Sequence, residues 1–153
     1  MKIGYSFFMS LEKDFYAKKS LKDLSSEEWE ALCDCCGQCC YQKYIEGRGK
    51  KAKLYFTKVC CDLLDIKTGF CTDYNNRFKR NKDCTPLTIH SIHEFSWLPK
   101  TCAYRLLSEG KPLPHWHPLV TGIPVKENPE AQKLFIQDGI HEKDVEHWED
   151  YIL

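Results

Sequence analysis

Cysteines are the residues of this sequence whose types and spacing most clearly suggest chemistry. The chain contains ten, and five fall within the stretch EEWEALCDCCGQCC, residues 27–40. The ten are Cys33, Cys35, Cys36, Cys39, Cys40, Cys60, Cys61, Cys71, Cys84 and Cys102. Thiolates bind zinc, iron and iron–sulfur clusters, and pairs of thiols form disulfides. The composition of the chain helps to choose between these chemistries.

Length, charge and hydropathy favour metal ligation over disulfides. The chain has 153 residues, the size of one domain, and its 22 basic and 22 acidic residues give no net charge to attract nucleic acid or anionic lipid. Apolar runs are too short for a membrane span, and no export signal is recognisable, so we expect a cytoplasmic protein without nucleic-acid or membrane partners. Cytosolic thiols stay reduced. Adjacent cysteines such as Cys60 and Cys61 also cannot easily form an unstrained disulfide with each other.

A helix is predicted to lead into the cysteine cluster. Ser25 and Glu28 have the spacing of a capping box, which predicts a helix that begins at Ser26. If this helix continues through the cluster, four cysteines share one helical face and Cys35 points away from it. The four are Cys33, Cys36, Cys39 and Cys40. In the alternative, Gly37 ends the helix early, and Cys36 to Cys40 form a ligand loop.

A hairpin and two loops are predicted to carry the next cysteines. The segment CYQKYIEGRGKKAKLYFTKVCC alternates apolar and polar residues on both sides of EGRGKK, which predicts a β-hairpin that ends at Cys60 and Cys61. Neighbouring residues on a strand face opposite sides, so these two thiols should not both reach one site. Asp65, Thr68 and Gly69 predict a turn that presents Cys71, and Cys84 lies on a further loop.

Two further helices are predicted towards the C-terminus. One lies in LTIHSIHEFSWL with Thr88 as its cap, and the other lies in TCAYRLLSEG with Thr101 as its cap and Gly110 at its end. Cys102 would then sit in the first turn of the second helix, where the helix dipole favours a thiolate. The proline-rich segment KPLPHWHPLVTGIP is predicted to be a loop.

Four runs of this sequence, in order, resemble a known family. They are LSSEEWEALCDCCGQCC, VCCDLLDIKTGFCTDYNNRF, DCTPL and FSWLPKTCAYRLLSEGKPLPHWHPL. They are similar to small bacterial zinc- or iron-chelating proteins with a Cys-x-x-Cys-x-x-Cys-Cys signature, a family to which no particular reaction belongs. The resemblance covers about residues 15–122 and implies eight metal ligands. These are Cys33, Cys36, Cys39, Cys40, Cys61, Cys71, Cys84 and Cys102. Cys35 and Cys60 stand where the family pattern has glycine and alanine.

The identity and number of the metals stay open at this point. Four thiolates close a tetrahedral zinc site or hold one four-iron cluster, and eight divide into two such sets. The Cys-x-x-Cys-x-x-Cys spacing resembles ferredoxin loops, which would favour an iron–sulfur cluster. Ligands scattered over several elements are instead typical of a fold stabilised by structural zinc, and this argument favours zinc. Cys39 and Cys40 would diverge by about 100° on a helix, so they could serve two metals or bridge them.

We therefore predict an α+β fold, a small single domain of short helices and a β-hairpin organised around a cysteine-rich metal centre. Residues 1–14 form a variable extension in which Met9 is an alternative start, residues 15–122 form the metal-binding domain, and residues 123–153 follow the family loosely. The predicted function is chelation of zinc or iron for storage, delivery, sensing or structural support, without catalytic residues. The alternative is an iron–sulfur redox protein or an accessory enzyme of the oxidoreductase or methyltransferase type.

Other polar residues have both a chemical and a structural interpretation, and the structural one is favoured. His115 and His117 flank Trp116 and could add an imidazole ligand, but packing is the commoner role of such histidines. His90 and His93 fit an amphipathic surface, and Asp62, Asp65 and Asp73 fit turns. Arg77 and Arg105 could offset thiolate charge or pair with carboxylates. The remaining aromatics are expected in the core, namely Tyr5, Phe7, Phe8, Tyr41, Tyr44, Tyr55 and Phe56.

Overall fold

A computed structural model describes residues 10–153, which form short helices and a small three-stranded sheet, the predicted single-domain α+β arrangement. The α-helices are α1 Phe15–Lys18, α2 Ser26–Ala31, α3 Arg77–Arg80, α4 Ala103–Ser108, α5 Pro118–Thr121 and α6 Pro129–Gln132. The strands are β1 Tyr41–Glu46, β2 Lys53–Cys60 and β3 Ile140–His141. The 3-10 helices are Leu21–Asp23, Gln38–Cys40, Gly49–Lys51, Tyr74–Asn76, Ile89–Trp97, Val125–Glu127, Glu142–Asp144 and Trp148–Tyr151. Met9 and three of the predicted core aromatics, Tyr5, Phe7 and Phe8, lie outside the described residues.

Contacts within the chain divide it into two compact units, each built from two separate segments. The first unit is the chain up to Cys36 together with Thr85–Leu134, and the second is Gly37–Cys84 together with Phe135–Leu153. This division differs from the predicted boundaries at residues 14 and 122, which followed the family resemblance rather than contacts. The first unit contains Cys33, Cys35, Cys36 and Cys102, and the second contains the other six cysteines.

Helix α2 of the first unit begins where the sequence predicts. The Glu28 amide donates to Ser25 Oγ at 3.2 Å and the Ser25 amide donates to the Glu28 carboxylate at 2.9 Å, which completes the predicted capping box. Lys19 Nζ lies 2.6 Å from the same carboxylate. The hydrogen bond from Lys19, joined by that from the Ser25 amide, lowers the pKa of Glu28. The capping box and the negatively charged Glu28 near the positive end of the helix dipole therefore both stabilise this helix start.

Aromatic packing holds the first unit together. The rings of Trp29 and Tyr104 lie 5.0 Å apart, and the ring of Phe95 meets Tyr104 edge-on at 6.3 Å. The Tyr104 hydroxyl donates to the Trp29 carbonyl at 2.8 Å, so its one polar group is satisfied within the core. Arg105 donates to the carbonyls of Ser96 and Leu98, which ties α4 to the preceding 3-10 helix.

Two predictions for this part of the chain are wrong in detail. The N-cap of α4 is Cys102 rather than Thr101, so Cys102 precedes the first turn instead of lying in it. The proline-rich segment contains the short helix α5, whose N-cap is His117. Pro118 at the first helical position suits this start because its missing N–H would be unpaired there in any case.

The second unit is built on the predicted hairpin. Strands β1 and β2 pair antiparallel, with Ile45 opposite Leu54 and Tyr41 opposite Cys60. The register shifts between these two pairs, and the Thr57 side chain fills the irregularity by donating to the Gln42 carbonyl and accepting from the Val59 amide. Strand β3 from the tail pairs parallel with the end of β2.

Candidate metal centre

The cysteine cluster is a turn rather than a helix face. Helix α2 ends at Ala31, Cys35 and Gly37 have left-handed φ angles of +59° and +74°, and Gln38–Cys40 forms one 3-10 turn. The prediction that four cysteines share a helical face is therefore wrong. The cysteines lie on a loop, as in the alternative, but the helix ends at Ala31 and not at Gly37. The physical reason is local, because the Asp34 carboxylate accepts the Cys36 amide at 3.1 Å and so competes with helical hydrogen bonding.

Three of the predicted ligands act electrostatically on a fourth within the second unit. The thiol of Cys84 lies close enough to Cys39, Cys61 and Cys71 for their charges to act on it, although the four come from a 3-10 turn, the end of the hairpin and two loops. Burial raises the pKa of the Cys84 thiol, the Arg77 guanidinium opposes this, and the three neighbouring cysteines add to the rise. A group of thiols that repel each other's negative charge would be stabilised by a cation.

The Cys61 sulfur accepts two hydrogen bonds from neighbouring residues. Asn81 Nδ2 donates to Cys61 Sγ at 3.1 Å, and the Leu63 amide donates to the same atom at 3.4 Å. Donors directed at a ligand sulfur fix its orientation. Asn81 could not be predicted from local sequence patterns, because its contact with Cys61 spans twenty positions of the chain.

The loops that carry Cys71 and Cys84 are shaped by turn residues, as predicted. The Asp65 carboxylate accepts the amides of Lys67 and Thr68, and Gly69 has a φ of +75°. This turn brings Cys71 opposite Leu64 in an isolated antiparallel bridge. The Cys84 amide donates to the Asn81 carbonyl at 3.3 Å, so the residue that contacts Cys61 also shapes the Cys84 loop.

Cys60 and Cys40 are placed differently from the group around Cys84. Cys60 is fully buried and forms an apolar cluster with Tyr41 and Leu64. Burial raises the pKa of its thiol to about 11, which disfavours the thiolate that a metal needs. Cys40 packs against the same cluster, with its sulfur 4.0 Å from that of Cys39. Cys60 is thus a core residue, and Cys40 lies between the core and the thiol group.

The first unit holds a buried carboxylate beside its cysteines. Asp34 is only 6% exposed, and its Oδ2 atom has no hydrogen-bond partner. Burial raises the pKa of the Asp34 carboxyl and the nearby Cys33 thiol adds to this, while His117 and the Cys36 amide oppose it. Sequence analysis did not single out Asp34, because its only signal was its position between two cysteines.

His117 is a packing and capping residue, as the favoured interpretation holds. Its Nδ1 accepts the Leu119 amide at 3.1 Å, which leaves Nε2 to donate to the Leu32 carbonyl at 3.2 Å. The side chain is fully buried, and this burial lowers its pKa against the opposing effect of Asp34. Both ring nitrogens of the neutral imidazole are therefore used by backbone groups.

The other candidate residues take structural roles. His90 and His93 are exposed, and His115 lies 2.7 Å from Glu130. Three aspartates bind backbone or side-chain donors, Asp62 the Lys143 amide, Asp65 its turn and Asp73 the Arg80 guanidinium. Of the two arginines, Arg105 pairs with Glu109, and Arg77 stacks on Tyr74 with its charge acting on Cys84.

The cysteine sulfur atoms are the donor type that a thiophilic metal prefers, but they are not arranged to hold a metal ion in this structure. The ten cysteines, all within the described chain, form no disulfide, so their sulfur atoms remain thiols. Among residues 10–153, no group of three or more His, Cys, Asp or Glu side chains stands ready to hold a metal ion. Side-chain rotation and loop closure would therefore accompany binding.

Relatives of this chain are found in several bacteria. A UPF0260 protein of Haemophilus influenzae strain PittEE is 52% identical over 145 residues, which is 95% of each chain. The chain belongs to the UPF0260 family. A UPF0260 protein of Pasteurella multocida is 51% identical over 144 residues, 94% of this chain and 96% of the relative. One of Vibrio parahaemolyticus is 46% identical over 139 residues, 91% and 93% of the two chains.

Membership of the UPF0260 family extends the similarity beyond residues 15–122, because the aligned region covers most of the chain. The names of these relatives mention no metal, substrate or reaction. No family model and no solved structure matches the chain. Within residues 10–153, the helices are all too short or too polar to cross a membrane.

Proposed function

We propose that this UPF0260 protein is a metal-chelating protein that binds zinc or iron through cysteine thiolates. The observation that carries the proposal is that Cys39, Cys61 and Cys71 all lie near enough to Cys84 for their charges to act on its thiol within one compact unit. Four thiols drawn from separate segments supply the donor number of a tetrahedral zinc or iron site, and their mutual repulsion is relieved when a divalent cation binds.

Two surrounding features support the proposal. The amide of Asn81 and the backbone of Leu63 donate to the Cys61 sulfur, the arrangement that orients a metal ligand. The Arg77 guanidinium is close enough to Cys84 to offset the negative charge that four thiolates around a divalent ion leave behind. Metal ions are the proposed partners, and the biological use of the bound metal is storage, delivery, sensing or structural support.

Adjacent cysteines provide a matched test. Protein is purified anaerobically from its native host with reductant present, and its metals are counted for wild type, Cys61→Ser and Cys60→Ala. Serine replaces a soft thiolate by a poorly ionised hydroxyl, so Cys61→Ser should lose at least one metal equivalent or unfold. Cys60→Ala should keep the wild-type metal content, because Cys60 packs in the apolar cluster.

The same preparation identifies the metal. Colourless protein with stoichiometric zinc supports a zinc protein, and brown protein with broad visible absorbance supports the iron–sulfur alternative. Wild-type protein that binds neither zinc nor iron under these conditions would overturn the proposed function. Equal metal content in Cys61→Ser and Cys60→Ala would show that the group around Cys84 is not the site.

A further inference from the structure

The Asp34 carboxylate lies in the cysteine cluster with one oxygen satisfied and the other not. Its Oδ1 accepts the Cys36 amide at 3.1 Å, a turn contact that shapes the loop. Its Oδ2 is buried without a hydrogen bond, the one such side-chain oxygen or nitrogen among the described residues. A buried, unpaired carboxylate oxygen is costly unless a proton, a water molecule or a cation satisfies it.

The neighbouring side chain does not satisfy this oxygen. His117 is the nearby side chain that could donate a hydrogen bond to this oxygen. Both of its ring nitrogens, however, already form hydrogen bonds with the backbone of Leu119 and Leu32. Oδ2 therefore stays buried without a protein donor among the described residues.

The distribution of the cysteines between the two units suggests which ligands Asp34 would join. Of the eight cysteines implied by the family resemblance, the first unit contains Cys33, Cys36 and Cys102, and the second contains the other five. Four-coordinate zinc and iron sites need a fourth donor. Asp34 lies between Cys33 and Cys36 in sequence and is only 6% exposed. Its Oδ2 atom makes no hydrogen bond and is therefore available to bind a metal.

We infer that Asp34 is a metal ligand through Oδ2, so that the first unit binds a divalent cation with a mixed thiolate and carboxylate donor set that includes Cys33 and Cys36. This inference rests on the proposed function and adds to it an oxygen ligand that the resemblance does not include. A carboxylate is a harder donor than a thiolate, so the site favours borderline divalent ions such as Zn²⁺ and Fe²⁺ over Cu⁺.

The decisive variant is Asp34→Asn, which keeps an oxygen to accept the Cys36 amide and replaces Oδ2 by a nitrogen that cannot bind metal. Metal-free, reduced full-length protein is titrated anaerobically with Zn²⁺ and with Co²⁺ against a chromophoric chelator. We expect Asp34→Asn to weaken one class of site at least about 10-fold, the lower end of the loss seen when even an outer partner of a ligand is removed. Asp23→Asn, which removes an exposed carboxylate of the same unit, should bind as wild type does.

A second measurement on wild-type protein keeps the inference testable if Asp34→Asn does not fold. X-ray absorption of the zinc-loaded wild type should require an oxygen scatterer at about 2.0 Å in addition to sulfur. Coordination by sulfur alone, or an Asp34→Asn protein that binds every equivalent with wild-type affinity, would overturn the role of Asp34 and leave the proposed function intact. Wild-type protein that binds no metal would instead overturn the proposed function itself.

Discussion

At the scale of single residues, Cys35 differs from its neighbours through its backbone rather than its thiol. Its φ of +59° is one of two positive values among the described non-glycine residues, the other being that of Asp14. A side chain in this conformation costs about 1–2 kcal/mol, a strain that glycine avoids. The resemblance places glycine at this position. The helical wheel that pointed Cys35 away from the other cysteines does not exist here, so the prediction that Cys35 is no ligand now depends on the family pattern alone.

Replacing Cys35 by glycine should therefore relieve strain without removing metal. We expect Cys35→Gly to keep full metal stoichiometry and to change the free energy of unfolding by about 0 to +1 kcal/mol, because relief of the left-handed strain exceeds the extra unfolded-chain entropy of glycine. Metal analysis and denaturant unfolding check both parts. Cys35→Ala is the matched control, since it removes the thiol but keeps the strained side chain, and it should be less stable than Cys35→Gly. Loss of metal equivalents in both variants, as in Cys36→Ser, would make Cys35 a ligand.

At the scale of elements, the start of α2 was easier to predict than its end. The start of α2 depends on Ser25 and Glu28, which are neighbours in sequence, and so it was predictable. Its end depends on the turn that Asp34 makes with the Cys36 amide, a competition between two local structures that a cap pattern does not reveal. The hairpin and the Asp65 turn were predictable for the same local reason.

Contacts between distant elements were beyond local patterns. The approach of Cys39 to Cys84 and the contact of Asn81 with Cys61 depend on how loops return along the hairpin. The spacing of residues within one helix or strand cannot predict such contacts. The family resemblance named the cysteines involved, but it did not indicate which of them lie together or that Asp34 is buried among the first group.

The capping box of α2 permits a test that separates helix stability from metal binding. Ser25→Ala removes the acceptor of the Glu28 amide and should lower the free energy of unfolding by about 1 kcal/mol, with metal content unchanged. Ser26→Ala, at the first helical position, is the control and should have a smaller effect, because its side chain does not cap the helix. Denaturant unfolding followed by circular dichroism gives the first quantity and metal analysis the second. Loss of metal from Ser25→Ala while the helix persists would give Ser25 a role outside the cap.

At the scale of the whole molecule, metal binding should be coupled to stability. The thiols around Cys84 come from separate segments and must close around an ion, so binding free energy becomes folding free energy. A strong chelator under reducing conditions should therefore lower the melting temperature of purified protein. For one site at 100 times its dissociation constant the stabilisation is about 2.7 kcal/mol, which corresponds to about 5–10 °C for a chain of this size.

Calorimetry or circular dichroism melting measures this shift, and excess Zn²⁺ added after chelation should restore the original melting temperature. Chelator that has been saturated with Zn²⁺ beforehand is the control, because it contacts the protein equally but removes no metal. An apo protein with unchanged circular dichroism and melting temperature would show that the thiols do not contribute to the fold through metal.

The parallel pairing of β3 with β2 has a consequence for the order of events on the ribosome. The second unit needs its tail segment, because Ile140 and His141 pair with Val59 and Cys60 and His141 Nε2 contacts the Leu64 carbonyl. Synthesis proceeds at about 5–20 residues per second, so all ten thiols leave the ribosome seconds before that strand does. During this interval the nascent chain presents its cysteines to the metal buffers and oxidants of the cell without the strand that completes its sheet. Any metal captured at that stage would bind before the sheet of the second unit is complete.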